Sequence, residues 1–175
     1  MAQKEALREL QGRLAERLQA ARTMERPAGW LAVECHGQGF LLPLAEAGEI
    51  FQAGALMRVP HARSWFLGVA NLRGSLTGVV DLAGFLGLRS GRLQRDPQAR
   101  LVALNQTLEL NAALLVDRLA GLRNAEQLSD PQLVDGPAPD FAGPRWRDNT
   151  GRVWQELRLA ALVHDERFTH IVALA

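Results

Sequence analysis

Leu7, Leu10, Leu14, Leu18 and Ala21 recur every three or four residues between positions 2 and 23, with Glu and Arg between them. That spacing predicts an amphipathic helix. Glu5/Arg8 and Glu9/Arg13 add favourable neighbours along it, while Arg13/Arg17 is repulsive. The leucine stripe suits a helix docked on its own domain. It also suits a partner helix, although the repeat is too short to favour a coiled coil. "ERPAGW" ends the helix at Pro27 and Gly29. The chain therefore divides into an N-terminal helix, 1–26, and a domain, 27–175.

From Trp30 the period changes from helical to alternating. "WLAVEC", "HGQG" and "FLLPL" predict a hairpin in which Leu31, Val33 and Cys35 share one face. "AEAGEIF" reads as a short helical or irregular link, and Pro60 favours an extended Val59. "FLGVANLRG" and "SLTGVVDL" predict a second hairpin turning near Gly74, followed by a short helix at "LAGFLG". "ARLVALN" and "LELNAALLVDRLAGLRN" predict two strands joined through "QT". Residues 124–152, with Pro131, Pro137, Pro139 and Pro144, read as a long irregular segment that is functional, mobile or tied down by Phe141 and Trp146. "VWQELRLAALVHDERFTHIVAL" adds a strand and a helical or extended tail. Many short strands between regular turn signals predict a mainly β, barrel-like architecture.

Composition narrows the chemistry. One cysteine, Cys35, excludes an internal disulfide framework and fits a reducing compartment. No apolar run reaches the roughly 20 residues that span a bilayer, and "MAQKEALREL" has no signal core. The expectation is a cytoplasmic protein without direct membrane insertion. The net charge is +1, and every basic residue except Lys4 is arginine. The arginines are dispersed and not interleaved with aromatics, which argues against nucleic acid as a partner.

Two charges stand out in the apolar run 66–87, Arg73 and Asp81. If the two strands pair, they lie on the order of 25 Å apart and cannot neutralise each other. Asp81 directly precedes the short helix and reads as its N-cap. Arg73, beside the turn, either pairs with a distant acid such as Glu49 or Asp117, or meets another protein, where arginine is enriched at binding hot spots.

The run "GVANLRGSLTGVVDL" closely resembles the signature of the CheW family, adaptors that couple chemoreceptors to histidine kinases. "EIFQAGALMRVP", the Val116–Asp117 pair and "VWQELRLAALV" extend the resemblance over about residues 30–165. Within the family the chain is most similar to adaptors of type IV pilus chemosensory systems, which control twitching motility. The resemblance implies two intertwined five-stranded SH3-like β-barrels with a groove between them. It implies a non-catalytic adaptor without a cofactor. The implied partners are the helical signalling tip of a chemoreceptor, held in the groove, and the regulatory domain of a CheA-like histidine kinase, held at a barrel edge. Array or ring assembly at the inner face of the membrane would follow. Carried over, the receptor-contacting positions are Glu49, Gly68, Asn71 and Arg73, with Ile50 and Leu72 as apolar wall. Ala47 stands where the family has a larger aliphatic residue, and Gly78 where proline is common.

Two other classes compete. An enzyme would use Cys35, yet His36 adjoins it in sequence, and neighbouring strand residues face opposite ways. His61, His164 and His170 are isolated, and no metal-ligand spacing occurs. A purely structural, oligomeric β-barrel would instead bury Arg73 in an intramolecular pair.

Overall fold

The computed structural model describes residues 29–91, 96–134 and 136–173. The expected N-terminal helix, 1–26, lies outside them. Among the described residues eleven strands form two sheets.

The first hairpin is as the alternation predicts. β1 (Gly29–Cys35) and β2 (Gln38–Pro43) pair antiparallel around His36–Gly37. Both turn residues have positive φ, 50° and 78°, the two-residue geometry whose twist matches that of the strands. The second hairpin, β4 (Phe66–Leu72) with β5 (Ser75–Asp81), turns in the same way on Arg73 and Gly74, at φ 50° and 85°.

Other segments depart from the local signal. The link "AEAGEIF" is a strand, β3 (Ala47–Gln52), because its backbone pairs with β6 (Arg100–Leu104); that long-range pairing overrides a weak local pattern. The run 108–124 is two strands. β7 (Ala112–Val116) ends at Asp117, and β8 (Arg118–Asn124) continues in the other sheet. The segment 124–152 contains β9 (Leu128–Gln132) and β10 (Ala142–Asp148). β11 (Val153–Leu157) precedes two one-turn helices, Leu159–Leu162 and Glu166–Thr169.

One sheet has the order β3-β6-β7-β5-β4 and the other β8-β1-β2-β11-β10-β9. The second thus has six strands rather than the expected five. β9 supplies the extra one, at an edge where its Pro131 needs no ladder partner. The sheets interleave in sequence: the five-stranded sheet is built from β3–β7, the six-stranded one from β1–β2 and β8–β11.

Three apolar cores follow from this arrangement. Leu31, Val33, Cys35, Phe40 and Leu42 meet Val102, Leu104, Leu114 and Val116 between the sheets. Ala70, Val79, Leu101, Ala113 and Leu115 fill the five-stranded half, and Trp30, Ala32, Leu41, Leu128 and Trp154 the six-stranded half. Strands buried on both faces explain the near-continuous runs "AALLV" and "LVAL". Gly78 is explained by β5 joining β7. Its N–H donates to the Asn111 carbonyl at 3.0 Å, a bond that proline lacks the hydrogen to make.

Candidate functional site

The β4–β5 tip is fixed from its own backbone outward. The Asn71 Oδ1 accepts from the Gly74 N–H at 2.8 Å, holding the turn closed. Arg73 projects from that turn, and its Nη1 donates to Glu49 Oε1 at 2.8 Å, with 75% and 54% of the two side chains exposed. Of the two acids the sequence offers Arg73, the structure selects Glu49. The pair links β3 to β4, the two edges of the five-stranded sheet. Screened by water, such a pair stabilises the fold by at most about 1 kcal/mol, so most of the charge stays available at the surface.

The remaining sequence-named positions divide by side. Ile50, next to Glu49, is exposed, as is Leu76, the cross-strand partner of Asn71. Gly68 is buried, with φ 131°, beneath the segment before β4. There Met57 and Val69 exchange both backbone hydrogen bonds at 2.8 Å. A Cβ on Gly68 would lie 2.2 Å from the Met57 carbonyl oxygen. Leu72, expected as apolar wall, is half-buried and packs against the core of its own sheet. Glu49 and Arg73 are therefore joined at the surface beside the Asn71-closed turn, Ile50 is exposed next to Glu49 in β3, and Gly68 and Leu72 lie within the sheet. Met57 and Leu76, exposed beside it, have no distinguishing signal in the sequence beyond being apolar.

Asp81 stands at the N-cap position of the helix Leu82–Phe85, where the Gly84 and Ala83 amides favour its charged form although no full side-chain capping hydrogen bond closes. The carboxylate takes Arg89 Nη1 at 3.2 Å, and the other arm of Arg89 reaches Asp117. Asp117 in turn accepts the His36 N–H at 2.7 Å. One arginine thus gathers β5, the β7–β8 junction and the β1–β2 turn. Burial pushes the Asp81 carboxyl above its usual range, and the Arg89 charge only partly offsets this. Burial, with Asp117 adding to it, pushes the neighbouring Cys35 thiol up to about 12. Cys35 is enclosed and protonated, which removes the basis for the thiol-enzyme reading. Among the described residues no group of three or more His, Cys, Asp or Glu is placed to hold a metal, and no helix is long and apolar enough to cross a membrane.

A second acid organises the far end of the six-stranded sheet. Asp148 is buried and accepts from Trp154 Nε1 at 2.8 Å, the Thr150 hydroxyl at 2.6 Å and the Arg152 N–H at 3.0 Å. Burial alone would raise its pKa, but these donors outweigh it and hold the group at about 2. A folded pKa below the unfolded one contributes stability above about pH 4 that is lost as pH falls toward 2. Asp148→Asn is expected to lower stability at neutral pH by roughly 2 kcal/mol and to flatten that acid limb. Urea midpoints at pH 7, 4 and 3 would check it; parallel curves for both proteins would refute it. Asp81 has the opposite sign, its contribution present at low pH and lost as pH rises through its raised pKa.

A cleft of about 570 Å³ opens elsewhere, lined by Phe40, Phe85, Phe141 and Leu157 with Arg145 and Arg167. None of the receptor-contacting positions carried over from the resemblance lines it.

Residues 29–167 match the family model described as CheW-like domain. Protein PilI of Pseudomonas aeruginosa is 31% identical over 112 residues, covering 64% of this chain and 61% of that protein. A probable chemotaxis protein CheW of Rhizobium etli is 30% identical over 93 residues, covering 53% and 57%. The chain thus spans about three fifths of the length of these curated relatives. The crystal structure of the scaffolding protein TtCheW from Thermoanaerobacter tengcongensis superposes with a TM-score of 0.63 at 17% identity, over 75% of this chain and 89% of that one.

Proposed function

The chain belongs to the CheW-like family, and on that premise we propose that it is a non-catalytic adaptor coupling the signalling tip of a chemoreceptor to a CheA-like histidine kinase. The similarity to PilI supports an output in type IV pilus twitching motility. The working location is then the cytoplasmic face of the membrane, reached through receptor arrays.

The observation that carries this reading is the Glu49–Arg73 pair on a rigid, exposed hairpin tip beside Ile50. A groove partner of helical form needs apolar contact and a few fixed polar anchors. The Asn71-closed turn fixes the backbone from which Arg73 projects, which lowers the entropy lost when the partner arrives. Individually weak contacts of this kind gain strength when many adaptors share an array.

The test is capture of a purified receptor signalling tip and, separately, a purified kinase regulatory domain. Arg73→Ala is expected to weaken receptor capture about tenfold or more while leaving kinase capture intact. It should shift Tm by no more than about 3 °C, since an exposed pair contributes little to the fold. The exchanged pair Glu49→Arg/Arg73→Glu separates the two roles of the arginine. If the exchange restored receptor capture, Arg73 would act only by bracing β3 on β4. Capture of neither partner by the natural chain would leave a structural, oligomeric β protein.

A further inference from the structure

We propose that the cleft of about 570 Å³ binds a small aromatic carboxylate, its ring against Phe85 and Phe141 and its carboxylate on Arg145. Both halves of the domain build the walls. Phe85 ends the short helix after β5, while Phe40 and Leu157 come from β2 and β11 and Phe141 directly precedes β10. Phe85 is half-buried; its ring meets Phe141 at 5.8 Å with a 47° tilt and Phe168 edge-on at 5.2 Å. A flat aromatic body extends such a group in tilted or edge-on contact. The volume falls in the range of small-molecule pockets, roughly 300–1,000 Å³. An extended peptide fits less well: β2, β11 and β10 are each paired on both sides, so none offers it a free ladder.

Charge selects the other end of the ligand. Arg145 and Arg167 line the cleft, and no acid among the described residues does. The two arginines differ in what they have left to give. Arg167 donates from Nε and Nη2 to the two Asp165 oxygens, each at 3.2 Å, and its guanidinium lies 5.7 Å from the Phe85 and Phe141 rings. It is neutralised and serves as wall. Arg145 donates only from Nε, to Gln155 Oε1 at 3.2 Å; its Nη1 and Nη2 have no partner among the described residues. Gln155 is held in turn, because its Nε2 donates to the Gly143 carbonyl at 2.6 Å and to its neighbour Glu156 at 2.9 Å. A neutral, fixed amide thus orients the guanidinium without cancelling its charge. The remaining edge presents the paired N–H groups that a carboxylate takes with both oxygens. This inference goes beyond the adaptor reading and does not depend on it.

An NMR titration of the full chain with 2-naphthoate tests it, set against 2-naphthalenemethanol, which has the same rings and no charge. The amides of Gln155, Leu157 and Arg167 are expected to shift and saturate, while those of β6 and β7 stay in place. The carboxylate should bind about tenfold more tightly than the alcohol. Arg145→Gln, at an exposed strand position, should remove that preference and leave the affinity for the alcohol unchanged. Unmoved β6 and β7 amides in the variant certify its fold. Arg167→Gln should keep most of the preference, since Asp165 already neutralises that charge. The proposal is overturned if neither compound shifts the three cleft amides, if both bind equally, or if the preference survives Arg145→Gln. Shifts of the same amides on raising protein concentration alone would also overturn it, assigning the cleft to a second copy.

Discussion

Gly68→Ala is expected to be the most damaging single-methyl change in the domain, lowering stability by about 3 kcal/mol or more. Two independent effects act at this position. Its φ of 131° lies where L side chains are rarely found. The added Cβ would also stand 2.2 Å from the Met57 carbonyl oxygen, far inside van der Waals contact with backbone that cannot rotate away. The domain can respond only by straining β4 or by releasing Met57, and release breaks both hydrogen bonds between Met57 and Val69. Calorimetry should show Tm lower by roughly 6–12 °C, and exchange should show the Met57 and Val69 amides deprotected. Receptor-tip capture should fall with them, because the edge that carries Asn71 and Arg73 loses its cover. A variant with unchanged Tm and protected Met57 would refute this account of the glycine.

Arg89→Ala should rank next, at about 3 kcal/mol. Its side chain is 14% exposed and that of Asp81 7%, so removing the cation leaves a carboxylate enclosed without its counter-charge. Asp117, more accessible, keeps the His36 N–H and can recover water. Two signatures identify the mechanism. Adding Asp81→Asn should recover much of the loss, since the buried charge disappears with its partner. The single variant should also be restored by acid. With Arg89 gone, the Asp81 carboxyl rises further, and protonation relieves it from a higher pH than in the natural chain. Stability of the variant relative to the natural chain should therefore improve as pH falls from 7 toward 5. Denaturant titrations across that range decide the matter; a constant difference would mean that Arg89 acts by packing alone.

Both positions are visible in the sequence, but their partners are not. The two hairpins can be read because alternation and turn residues are local properties: "HG" and "RG" sit where positive φ is required. β3 cannot, since Ala47–Gln52 becomes a strand only through pairing with β6, about fifty residues later. Asp81 reads as a cap because a helix follows it; Arg89, beyond the helix in a polar run, gives no sign of folding back. Sequence alone offers Arg73 both Glu49 and Asp117, and the fold gives Arg73 to Glu49 and Asp117 to Arg89. β9 and β10 are hidden by prolines that sit at tolerant edge and bulge positions.

The interleaving of the two sheets has a consequence during synthesis. β2 is made long before its parallel neighbour β11, the last of the described strands, and residue pairs such as Phe40 and Gln155 are more than a hundred positions apart. The five-stranded half is contiguous and can assemble as soon as β7 has emerged. Until β8 and β11 follow, the β1–β2 hairpin has only one apolar face to lay on that half, and its other face, with Trp30 and Leu41, awaits strands not yet made. The newborn chain therefore passes through an interval in which an apolar hairpin surface is open to chaperones or to neighbouring nascent chains.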